Sequence, residues 1–119
     1  MPAALPAQTI VGKRIRQYRQ EKGLSQAELG ALLGWDEKSG CPRISRYERG
    51  VHEADLQTLS RLAYVLEKPL PCFFAPSTHI AQFWEWLDGL SEERQKEVCN
   101  RARSGFEDQP RFDAQPKLR

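Results

Sequence analysis

The chain has 119 residues, 39% of them from the apolar set and 29% charged, with 18 Lys+Arg against 16 Asp+Glu for a formal charge of +2. That length supports one small folded domain with its own core but not a large enzyme, and no apolar run approaches the roughly 18 residues a membrane span needs. The three cysteines form no C-x-x-C pair, which argues against a disulfide framework or a zinc site; the start Met1-Pro-Ala-Ala-Leu-Pro-Ala lacks the basic and apolar stretches of a signal peptide, so a cytoplasmic protein is expected.

Residues 1–8 are Pro/Ala-rich without a period and are expected to form a loose arm. A helix is predicted from near Thr9, with Val11, Ile15 and Tyr18 at i, i+4, i+7, basic residues Lys13, Arg14, Arg16, Arg19 and Lys22 on the other faces, and Gly23 as a left-handed stop. In Ser25-Gln-Ala-Glu28 the hydroxyl can accept from the backbone N–H three residues on while the Glu returns the bond, a capping box that starts a second helix over Gln26 to Leu33. Trp35 to Cys41 is aperiodic and contains Gly40, so it reads as a loop over which Trp35 packs. Pro42 suits a first helical turn, where its missing N–H costs nothing, and places a third helix over Pro42 to Arg49, closed by Gly50. Asp55 caps a fourth helix carrying the stripe Leu56, Leu59, Leu62, Ala63 and Leu66, which stops before Lys68-Pro69. Leu70, Phe73 and Phe74 form a short apolar turn that closes the core.

Beyond Pro76 the pattern changes. Ser77 or Thr78 can cap a helix with Ile80, Phe83, Trp84 and Leu87 at i, i+3, i+4, i+7, and Gly89 interrupts it. Ser91-Glu-Glu begins a last helix with negative charge at its positive end. Residues 105–119 are polar, without an apolar repeat, and are expected to be a disordered tail. With no strand candidate, the fold class is all-α: a compact bundle over residues 9–76 and a two-helix extension over 77–104. Residues 1–76 hold 11 basic and 8 acidic side chains, and residues 77–119 hold 7 and 8, a balance of +3 against −1.

Leu24-Ser-Gln-Ala-Glu-Leu-Gly-Ala-Leu-Leu-Gly34 followed by Ile44-Ser-Arg-Tyr-Glu-Arg-Gly50 resembles the helix-turn-helix of the Cro/phage-repressor (XRE) superfamily of transcriptional regulators, over roughly residues 10–75. The resemblance implies a lambda-repressor-like bundle of five short helices and a recognition helix lying in the major groove of double-stranded DNA. It places base reading on Cys41, Pro42, Arg43 and Arg46. Because Arg is the commonest partner of guanine O6/N7, most direct readout is expected from Arg43 and Arg46, with Cys41 or Pro42 against a thymine methyl. Phosphate contact is implied at Gln26, on the N-terminus of the second helix, with Ser45, Arg49, Lys38 and Ser39 as further candidates and Lys13 and Arg14 behind them. Arg19 and Glu48 match a pair that in this family bridges the first and third helices.

The departure from the family lies between the second and third helices. Nine residues, Trp35 to Arg43, separate Gly34 from Ile44, roughly four more than a tight turn holds. As a loop, this segment is expected to bring Lys38, Ser39 and Gly40 to the groove edge. The aromatic stripe of Ile80, Phe83, Trp84 and Leu87 is expected to pair two copies of the chain, setting two recognition helices about 34 Å apart on an inverted-repeat operator, with packing back onto the domain's own core as the alternative. An antitoxin that grips a toxin through the same helices is the competing expectation. No cofactor, metal site or catalytic residue is indicated: His52 and His79 have no acidic or cysteine partner at ligand spacing. A nucleoid-associated repressor is the reading that results.

Overall fold

The computed structural model describes residues 6–105 and is helical throughout, with no strand among the described residues. Its elements are α1 (Ala7–Glu21), α2 (Gln26–Leu32), α3 (Glu37–Glu48), α4 (Leu56–Leu66), a 3-10 turn (Leu70–Phe74), α5 (Thr78–Asp88) and α6 (Glu92–Ser104). The chain divides between Glu85 and Trp86 into two compact units, and the division falls within α5. Residues 106–119, expected to form the tail, and residues 1–5 of the expected arm lie outside the described residues.

The core of the first unit forms where the amphipathic stripes meet. Val11, Ile15 and Tyr18 from α1, Leu29 and Leu33, Ile44 and Tyr47 from α3, and Leu59, Leu62, Ala63 and Leu66 from α4 are buried together with Cys72 and Phe73 of the 3-10 turn. Tyr18 meets Phe73 edge-on at 5.1 Å and donates its hydroxyl to the Cys72 carbonyl, and burial pushes the phenol up to about 12. The 3-10 turn thereby supplies the fifth helical piece of the bundle. Leu56, counted in the α4 stripe, is instead 71% exposed, on the first turn directly after the Asp55 cap.

Capping sets most helix starts. Ser25 and Glu28 close the reciprocal capping box of α2, and Asp55, Ser77 and Ser91 accept from backbone N–H groups at the starts of α4, α5 and α6. Two starts depart from the sequence reading. Helix α1 begins at Ala7, ahead of Thr9, and Gln8 on its first turn donates to the Gly50 carbonyl at 2.7 Å.

The larger correction is at α3. The segment Trp35–Cys41 is not a loop: Asp36 accepts from the Ser39 N–H at 2.9 Å, and the helix runs from Glu37 straight through Pro42. Hydrogen bonds from the Ser39 N–H and hydroxyl hold the Asp36 carboxyl below the usual aspartate range. A proline inside a helix costs about 3 kcal/mol or more through its ring and its missing donor. Here the carbonyl left without a partner belongs to Lys38, on an exposed face where water can satisfy it. The offset comes from packing. Helices α2 and α3 cross with backbones in contact at Gly30 and Gly40, so close that a Cβ on Gly30 would lie 2.9 Å from the Gly40 Cα. Four added residues are close to one helical turn, so α3 absorbs them as a turn and rotates its downstream face by only about 40°.

Helix α5 contributes Ala81 and Trp84 to the first unit, with Trp84 packed on the core. Its approach is fixed by Lys68, which binds Glu85 at 2.8 Å and Glu21 at 3.4 Å while lying 5.0 Å from the Tyr18 ring. Burial opposes the charge on Lys68, yet Glu85 and Glu21 hold its ammonium above the ordinary lysine value. In the second unit α6 buries no residue; Gln95 donates to the Leu87 and Leu90 carbonyls, joining α6 to the preceding turn.

Candidate nucleic-acid interface

The site is built on α3, and its geometry follows from how that helix is held. Gly40, Ile44 and Tyr47 face inward and are buried. At the C-terminal end α1 lies against α3 through Gly12: a Cβ there would sit 2.4 Å from the Tyr47 carbonyl oxygen and 2.7 Å from that of Glu48. Gly30 does the same at the other end, so two glycines on two helices seat α3 by backbone contact. Neither was legible as a contact, since a glycine in a helical run carries no apolar signal and only its distant partner reveals why a side chain is excluded.

Polar bonds complete the seat. Arg19 grips Glu48 with two hydrogen bonds, Nε to Oε2 at 2.6 Å and Nη2 to Oε1 at 3.0 Å, and its third nitrogen donates to the Leu24 carbonyl. The hydrogen bond it donates to Glu48 raises the Arg19 guanidinium above its ordinary value, against the opposing effect of burial. The bond between the first and third helices expected from the sequence is therefore present, with both side chains largely buried. Gln26 joins it: its amide donates to Glu48 Oε1 at 3.2 Å, and its carbonyl oxygen lies 3.7 Å from the Cys41 Sγ.

The expected base-reading residues separate into two groups. Pro42 and Arg46 are exposed on the outer face of α3, and Arg46 makes no side-chain hydrogen bond or ion pair among the described residues. Cys41 and Arg43 are half-buried on its flanks. Cys41 turns toward Gln26, and Arg43 lies over Trp35 with its guanidinium carbon 3.7 Å from the ring centroid and donates to the Tyr47 hydroxyl at 3.4 Å. Trp35, expected to pack over a loop, is instead a platform for this arginine.

The remaining candidates are distributed around the same face. Lys38 and Ser39 are exposed on the first turn of α3, where the Ser39 hydroxyl donates to Asp36. Arg49 follows the last turn, exposed, with its Nε donating to the Ser45 hydroxyl at 3.3 Å. Arg14 is not on this surface: it is 8% exposed and donates to the Ala75 carbonyl at 2.9 Å and to Gln17, so it ties α1 to the segment before α5. Of the α5 stripe, Ile80 and Phe83 are exposed at 38% and 49%, Trp84 packs on the core, and Leu87 is half-buried in the second unit. No group of three metal-binding side chains exists among the described residues.

Residues 15–71, from the middle of α1 into the 3-10 turn, match the family described as helix-turn-helix. An HTH-type transcriptional regulatory protein of Pyrococcus horikoshii is 38% identical over 61 residues, which are 51% of this chain and 18% of that protein. An HTH-type transcriptional regulator of Sinorhizobium medicae is 33% identical over 69 residues, covering 58% of this chain and 47% of the relative. The chain thus spans less than half the length of these curated relatives. Among solved structures, transcriptional regulator BswR superposes with a TM-score of 0.67 at 32% identity, over 78% of this chain and 92% of that one.

Proposed function

The chain belongs to the Cro/C1-type helix-turn-helix family, and from that premise we propose that it is a sequence-specific DNA-binding transcriptional regulator, a repressor that meets an inverted-repeat operator as a homodimer. The observation that carries this reading is the division of α3: an inner face locked by Gly40, Ile44, Tyr47 and Glu48, and an outer face that presents Pro42 and Arg46 to solvent. A major groove admits such a helix when its backing is fixed and its outer side chains are polar or basic.

On this reading Arg46 donates to a guanine and Pro42 lies against a thymine methyl, while Arg43 reaches a base edge from its seat on Trp35 and Cys41 flanks it. Ser45, Arg49 and the first turn of α2 at Gln26 meet phosphates. The helix dipole and the free backbone N–H groups at the start of α2 favour an anion there even with the Gln26 amide engaged by Glu48. Ile80 and Phe83, exposed on α5, support pairing of two copies. The near-neutral charge makes non-specific binding weak and salt-sensitive, leaving discrimination to a few side chains.

Selection of bound DNA from a random pool tests the reading, with a palindromic consensus as the expected result. Arg46→Ala should cost about 1–3 kcal/mol on the selected operator and relax one position. Equal losses on operator and random DNA would remove Arg46 from base reading. Light scattering that finds only monomer at tens of micromolar would sink the dimer.

A further inference from the structure

The four residues that lengthen the segment before Ile44 change what α3 presents. As a loop they would offer Lys38 to a phosphate at the groove edge; as a helical turn they place it on the recognition face itself. Lys38, Pro42 and Arg46 recur every four residues, all exposed, on the side of α3 opposite Gly40, Ile44 and Tyr47. Eight residues of α-helix set Lys38 and Arg46 about 12 Å apart along the axis, the rise of three to four base steps. The added turn is at the N-terminal end, which is the end that a recognition helix of this kind directs to base edges.

We propose that this turn is a specificity determinant: Lys38 reads a guanine beyond the positions addressed by Pro42 and Arg46. The inference rests on the reading of α3 as the recognition helix. The chemistry of the turn favours bases over the sugar–phosphate edge. Asp36 and Glu37 place two carboxylates beside Lys38, and Asp36 already takes the Ser39 N–H and hydroxyl, so the turn is a poor phosphate seat. In the major groove a lysine ammonium donates to guanine O6 and N7. Arg43 leaves room for this division of labour, since its guanidinium is stacked on Trp35 and bonded to Tyr47 on the flank of the helix.

The test is selection from a random DNA pool with the full chain, with Lys38→Gln and with Glu37→Gln, followed by affinities on the selected site and its single-base variants. The unaltered chain should require a G·C pair three to four base pairs from the position that Arg46→Ala relaxes. Lys38→Gln should lower discrimination at that pair by about tenfold or more, within the range of one good base contact, and leave the Arg46 position unchanged. Glu37→Gln, on the Ile44 side of the helix, should leave that pair unchanged. Equal weakening by Lys38→Gln on every sequence would overturn the inference in favour of a phosphate contact, and so would an unchanged consensus. An unaltered chain that selects no sequence would instead overturn the reading of α3 beneath it. Both side chains are exposed, so coinciding thermal melts are expected to show that folding is intact in each variant.

Discussion

Helices α3 and α6 have nearly equal lengths, 12 and 13 residues, and both are mostly polar, yet their structural status is opposite. Helix α3 buries Gly40, Ile44 and Tyr47, and it contains a proline that a solitary helix would tolerate poorly. Helix α6 buries nothing; it has a Ser91 cap, Glu92 and Glu93 in its first turn, Arg101 and Arg103 in its last, and ion pairs from Glu97 to Arg94 and Arg101 along its surface. Local sequence preferences account for α6, and tertiary contacts decide α3. A helix whose outer side chains are left to solvent has to draw its position from the opposite face, and α3 does so through glycines and one largely buried ion pair.

Breaking the seat of α3 should have the largest effect. Glu48→Ala leaves Arg19 without its carboxylate in a largely buried position, and a loss of about 3–5 kcal/mol is expected in denaturant unfolding. A loss under about 1 kcal/mol would class the pair with exposed ones and refute the role given to it. Gly12→Ala comes next and carries a sign that tests the argument. In an ordinary helix interior this change stabilises by about 1 kcal/mol, but here the new methyl meets the Tyr47 and Glu48 carbonyls, so destabilisation of about 1–3 kcal/mol is expected together with weaker operator binding. A stabilised variant would mean that α1 and α3 are not in backbone contact.

Acid should separate the two helices further. Asp36 and Asp55 cap α3 and α4, and the N–H groups of Ser39 and Thr58 hold both carboxyls below the ordinary value of 3.8. A folded-state pKa depressed in this way contributes stability that is present above the unfolded value and lost as pH falls through the folded one. The melting temperature should therefore drop below about pH 4, and Asp36→Asn with Asp55→Asn should flatten that drop, since asparagine caps without titrating. An equal slope in the double variant would place the acid sensitivity elsewhere. The smallest effect is expected in α6, where Glu97→Gln removes two exposed pairs worth about 0.2–0.5 kcal/mol each and should leave the unfolding of the bundle unchanged.

Much of the architecture was legible before any coordinates. The capping box Ser25/Glu28, the Asp55 cap, the stripes of α1 and α4 and the Arg19–Glu48 pair depend on residues within a turn or two of each other, or on a motif whose spacing is fixed. For the same reason the residues placed Arg46 on the outer face, because Ile44 and Tyr47 mark the inner face of the same helix, whereas they put Arg43 there too and Pro42 followed only from the family pattern. The start of α3 was not legible. Gly40 and Pro42 are each turn signals in isolation, and both are overridden by the Gly30–Gly40 crossing, which brings together residues on two helices. Nor was it legible that Arg14 is buried against Ala75 or that Arg43 rests on Trp35, since a basic side chain at the surface and one inside a packed site have the same local pattern. Sequence alone determined that the chain is helical, how most of its helices begin, and which apolar stripes form the core, because these follow from hydrogen bonds and periodicity over short spans. Tertiary structure alone decided how α3 is seated and which of its arginines faces outward, because both depend on how closely two backbones can approach, and a glycine declares that only when its partner is in place.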